Sequence, residues 1–80
     1  MWGVVIQHGV TIGENNTHKA PFIKENVYIG ARAIILGDIE IGENSKIGAG
    51  AVVLKNVPAN CTVVGVPAHI VYKKEEIEWM

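Results

Sequence analysis

Ile23-Lys24-Glu25-Asn26-Val27-Tyr28, Ile29-Gly30-Ala31-Arg32-Ala33-Ile34, Ile35-Leu36-Gly37-Asp38-Ile39-Glu40, Ile41-Gly42-Glu43-Asn44-Ser45-Lys46, Ile47-Gly48-Ala49-Gly50-Ala51-Val52: set out in sixes, residues 23–52 open every line with isoleucine. Val53 opens the next line, and Ile6 and Ile12 hold the same spacing upstream of a break. A helix repeats its apolar face every 3.6 residues and a half-buried strand every two, so a period of six is neither. It is the mark of a repeat architecture, and every residue in the column is β-branched, which suits short strands.

Four residues after each of these positions stand Val10, Asn16, Val27, Ala33, Ile39, Ser45, Ala51 and Val57, mostly small or β-branched, which implies a second inward column. Three residues after each stand Gly9, Asn15, Asn26, Arg32, Asp38, Asn44, Gly50 and Asn56. All but Arg32 are types that tolerate the left-handed backbone region, so this column reads as corners. A short strand ending in a sharp turn every six residues closes into a triangular coil after three repeats. Eighteen residues then make one coil, which stacks Ile23 under Ile41, Ile29 under Ile47 and Ile35 under Val53 in parallel ladders. The expected architecture is an all-β parallel β-helix of about three coils over residues 3–58. An ordinary sheet sandwich has no reason to hold a six-residue phase this long.

Between Ile12 and Ile23 the spacing is eleven, one hexapeptide plus five residues, so a polar loop over residues 14–21 leaves the coil there. Residues 59–80 read as a cap: a last strand and turn over Thr62–Ala68, then a short C-terminal tail, with one or two helical turns over Lys73–Met80 and Ile77 and Trp79 docking on the body.

The bulk composition excludes several functions. Eighty residues make one domain with little buried surface, so association is expected. A formal charge of −1 speaks against nucleic acid as a partner. No apolar run approaches membrane-span or signal-peptide length, so no membrane partner is expected. The single cysteine, Cys61, excludes an internal disulfide and points to a reducing compartment, with the cytoplasm as the expected location.

Gly9-Val10-Thr11-Ile12-Gly13, Ile29-Gly30-Ala31-Arg32-Ala33, Ile47-Gly48-Ala49-Gly50-Ala51-Val52-Val53 and Val64-Gly65-Val66-Pro67-Ala68 resemble the hexapeptide-repeat acetyltransferases, and most closely the C-terminal part of serine O-acetyltransferases and related exopolysaccharide acetyltransferases. That resemblance implies a left-handed coil, a homotrimer, and acetyl-CoA or CoA lying in a groove between subunits. No metal is expected. Ala31 and Ala49 match the family's pantetheine-contacting backbone. They are eighteen residues apart, so they stack on one corner of adjacent coils, where small side chains leave room for an extended ligand. Counting back one coil across the loop brings His8 to the same edge, as a candidate at one end of the groove. Lys46 is a candidate for a coenzyme phosphate, and His18 and Lys19 for the acceptor or a phosphate.

In the family a histidine acts as general base toward an acceptor hydroxyl as its oxygen attacks the thioester, a role that suits an imidazole. That histidine, and the acidic residue that orients it, lie in coils preceding the segment with which this chain aligns, and neither has a counterpart here. Serine-specific members carry a histidine before the proline that re-enters the coil, where this chain has Ala20 before Pro21, as sugar-modifying relatives do. The expected activity is therefore O-acetyl transfer from acetyl-CoA to a sugar or serine-like hydroxyl; the alternative is a trimeric coil module with incomplete catalytic machinery. A zinc carbonic anhydrase on the same coil would need a close histidine pair, and His8, His18 and His69 form none in sequence.

Overall fold

The computed structural model describes residues 3–14 and 19–73. Ten short strands follow one another: β1 (Val5–Ile6), β2 (Thr11–Gly13), β3 (Phe22–Ile23), β4 (Tyr28–Ile29), β5 (Ile34–Leu36), β6 (Glu40–Ile41), β7 (Lys46–Ile47), β8 (Val52–Val53), β9 (Cys61–Val64) and β10 (His69–Lys73). They form three sheets, β1-β4-β7-β9-β10, β2-β5-β8 and β3-β6. Every third strand pairs with its predecessor in parallel as far as β8, the arrangement of a left-handed parallel β-helix.

Three ladders fill the interior. The first stacks Ile6, Ile29, Ile47 and Val63, the second Ile12, Ile35 and Val53, and the third Ile23, Ile41 and Val57. Ile29, Ile35, Ile41 and Ile47 are wholly buried, and each such side chain contributes roughly 1.5–3 kcal/mol by leaving water. Between them the second inward column supplies buried Val27, Ala33, Ser45 and Ala51. Ser45 is the one buried polar residue of the described core, and its hydroxyl donates to the Pro58 carbonyl at 2.9 Å, which satisfies it.

Glycine follows four of the ladder isoleucines, and at Gly30, Gly42 and Gly48 the coils approach too closely for a Cβ. A Cβ on Gly30 would lie 2.6 Å from the Ala49 nitrogen, and one on Gly42 would overlap the Ala59 nitrogen. The corners are left-handed at Gly3, Asn26, Asn44 and Asn60 along one edge and at Gly9, Arg32 and Gly50 along a second. Asparagine enters this region at little cost; a long side chain such as Arg32 (φ 63°) pays about 1–2 kcal/mol.

Three details differ from the sequence reading. The third corner is turned by Gly37 (φ 103°), while Asp38 and Asn56 are not left-handed. Val57 does not occupy the second inward column but completes the third ladder over Ile41, only sixteen residues away, because the last coil is two residues shorter. The Asn56 side-chain carbonyl accepts the Glu40 N–H at 2.8 Å beside this shortened turn. The parallel stack also runs past residue 58: β9 pairs with β7 in register Ile47 to Val63, and only then does β10 turn back antiparallel on β9. No helix occurs among the described residues; residues 74–80, with Ile77 and Trp79, lie outside them.

The two ends of the stack are unlike. At the far end β10 covers the edge of β9, and the Ala68 N–H donates to the Val52 carbonyl. At the near end the ladder residues Ile6 and Ile12 remain 47% and 37% exposed, against 0% for the isoleucines stacked on them.

Candidate functional site

The register that builds the first ladder also builds the corner after it. From Ile6, Ile29 and Ile47 the chain runs two residues on to His8, Ala31 and Ala49, which therefore occupy successive rungs of one edge. Backbone bonds tie the rungs together: the Arg32 N–H donates to the His8 carbonyl at 3.0 Å and the Gly50 N–H to the Ala31 carbonyl at 2.9 Å. The segments Gln7–Gly9, Gly30–Arg32 and Gly48–Gly50 line this edge; its glycines and alanines leave the backbone open to a ligand, and Gln7, His8 and Arg32 carry its larger side chains. Ala49 and His8 are exposed and Ala31 is half-buried. The His8 ring has no hydrogen-bond partner among the described residues.

The other sequence candidates lie elsewhere on the prism. Lys46 projects from the outer face of the first sheet into a groove of about 440 Å³ lined by Asn44, Asn60, Thr62 and Tyr72. That groove lies toward the asparagine corner, at the opposite end of β7 from Ala49. Its walls were invisible to the periodic reading: Asn44 was legible only as a corner residue, Asn60 lies past the end of the corner column, and Tyr72 comes from a strand outside the repeat. Lys19 lies at the third corner, where its ammonium is 3.9 Å from the Asp38 carboxylate, with both side chains exposed. An exposed pair of this kind contributes little to stability. His18 lies outside the described residues. Thus His8, Ala31 and Ala49 share an edge, while Lys19 is separated from them by the whole second sheet.

His69 sits at the far end, its Nδ1 3.5 Å from the Pro67 carbonyl, and Cys61 is buried with its thiol directed at the Ala59 carbonyl. Among the described residues no three His, Cys, Asp or Glu side chains gather as a metal site would require. No helix among them is long and apolar enough to cross a membrane.

Coil, corner and glycine pattern are those of a hexapeptide-repeat β-helix, and the family model described as bacterial transferase hexapeptide (six repeats) matches residues 20–55. Within that class the similar proteins are serine acetyltransferases. The enzyme of Buchnera aphidicola subsp. Schizaphis graminum is 55% identical over 74 residues, covering 88% of this chain and 28% of its own length. That of Escherichia coli K12 is 49% identical over 75 residues, covering 90% and 28%. The crystal structure of serine acetyltransferase in complex with coenzyme A from Brucella abortus strain S19 superposes with a TM-score of 0.85 at 51% identity, over 90% of this chain and 30% of that one. The chain thus spans less than a third of the length of these relatives.

Proposed function

We propose that this chain is the coenzyme-binding coil segment of a CoA-dependent O-acetyltransferase, acting on a hydroxyl of a small acceptor, a sugar or a serine-like amino acid, in the cytoplasm. The observation that carries the reading is the edge His8–Ala31–Ala49, an in-register run whose alanine rungs leave the backbone open, in a chain half identical to an enzyme crystallised with coenzyme A. Pantetheine is a long, thin, mostly neutral arm with amide groups, and the small rungs Gly30–Ala31 and Gly48–Gly50 are the surface such an arm can lie along. Lys46 supplies a cation for a coenzyme phosphate, and His8 marks the end of the edge nearest the open coil.

The same geometry supports a homotrimer. The acceptor candidate Lys19 stands beside Asp38 at a different corner from Ala31 and Ala49. One copy holds that lysine away from the alanine edge, whereas a neighbour packed alongside brings the two together. The outward face of the second sheet, which separates the two corners, carries Ile34, Leu36, Val52 and Leu54, and Leu54 is 53% exposed. An apolar strip of this kind suits burial against another copy.

A second reading is a trimeric module that binds coenzyme without completing the chemistry. It is favoured by the His8 ring, which has no partner among the described residues, since a general base is normally oriented by a third group. Calorimetric titration of CoA and acetyl-CoA, with the subunit number fixed by light scattering on the same sample, tests both. Saturable binding at one site per subunit of a trimer is the expected result; a folded trimer without binding would remove the coenzyme reading. Acetyl transfer or thioester hydrolysis in the bound sample would remove the second reading.

A further inference from the structure

The edge that carries His8, Ala31 and Ala49 also carries the most conspicuous backbone departure in the chain. Among the described residues, left-handed backbone is taken up by glycine and asparagine everywhere except Arg32. Its neighbours in the same column, Gly9 and Gly50, both hold φ 73° and show what the corner asks for. Strain retained by a long charged residue at one rung is an outlier from which a functional hypothesis can start.

Three further observations bear on it. First, Arg32 is exposed and has no ion-pair partner among the described residues, where the ion pairs are Lys19 with Asp38 and Lys24 with Glu40. Second, a Cβ on Gly9 would lie 3.2 Å from the Arg32 Cγ, so the stem of Arg32 leans over Gly9 toward the His8 rung, and glycine at position 9 leaves it that space. Third, Gln7–Gly9, Gly30–Arg32 and Gly48–Gly50 contain no charged residue but Arg32. Among these three segments, Arg32 is therefore the residue that offers an anion a permanent charge.

We infer that Arg32 is an oxyanion-binding residue of the alanine edge, holding a phosphate or carboxylate at the rung between His8 and Gly9. A guanidinium offers a planar fork of donors that matches either group. The anion has two possible sources, a phosphate of the coenzyme or a carboxylate of the acceptor. The inference deepens the coenzyme reading if the source is the former and stands without it if the latter.

The test uses the whole chain, with the Arg32 Nε–H followed by NMR. Inorganic phosphate is expected to shift this resonance saturably in the wild type. Arg32→Gly is expected to weaken binding roughly tenfold, for CoA but not phosphate-free pantetheine if the anion is the coenzyme's, or for serine alone if it is the acceptor's. Arg32→Lys retains part of the affinity. A merely structural role would couple lost affinity to lost stability, whereas here Arg32→Gly is expected to relieve the left-handed strain and raise the thermal midpoint while affinity falls. An Nε–H unmoved by phosphate, CoA and serine, or equal affinities of wild type and Arg32→Gly, would overturn the inference. Absence of CoA binding by both proteins counts against the coenzyme reading alone, since phosphate titration still decides the site.

Discussion

Two glycines on the same edge do different work. Gly30 has ordinary backbone angles, but its Cα faces the next coil so closely that a methyl group would meet backbone at Ala49. Gly50 has open space around its Cα and is needed only for φ 73°. Gly30→Ala should therefore force the coils apart and cost about 1–3 kcal/mol, as overpacking does. Gly50→Ala should cost about 1–2 kcal/mol from strain alone, and Gly50→Asn less, because Asn26, Asn44 and Asn60 already adopt that conformation. Urea denaturation of the three variants checks the order. At this scale the corner column was legible at Gly9, Asn26, Asn44 and Gly50, all of them left-handed. It was misread at Asp38, because Gly37 one residue earlier turns the corner better, and at Asn56, whose side chain serves as an acceptor instead.

Among the elements, the ladders could be read from sequence because a period of six leaves a single way to stack eighteen-residue coils. The loop did not obscure it: five extra residues lengthen one coil to twenty-three, and β1 and β2 still meet β4 and β5 with Ile6 over Ile29 and Ile12 over Ile35. The shortened last coil could not be read the same way. Val57 stands four residues after Val53, so it fits the second inward column of one hexad as well as the ladder position of a compressed one, and only pairing with Ile41 decides between them. Glu40 and Asn56 mark that compression. Removing the acceptor with Asn56→Ala should cost about 0.5–1.5 kcal/mol and speed exchange of the Glu40 amide, while Asn56→Asp, which keeps an acceptor oxygen, should spare most of both. Unchanged Glu40 exchange in Asn56→Ala would show that the turn does not depend on this bond.

For the whole molecule, the period settles the coil but not its hand, since crossovers are ordinarily right-handed and six-residue spacing is indifferent to the choice. The site was legible as far as register reaches: His8, Ala31 and Ala49 follow from counting coils. The Lys46 groove was not, because its lining depends on which way side chains leave a strand and on β10, which lies outside the repeat. The proposed function rests on the edge itself. The most direct test is calorimetric titration of coenzyme A into the wild type and into Ala49→Phe, a change at an exposed rung that the coil can carry without repacking its core. One saturable site per subunit in the wild type, lost or weakened at least tenfold in a folded Ala49→Phe, is the predicted result. Equal binding by both proteins would contradict the assignment of the coenzyme to this edge.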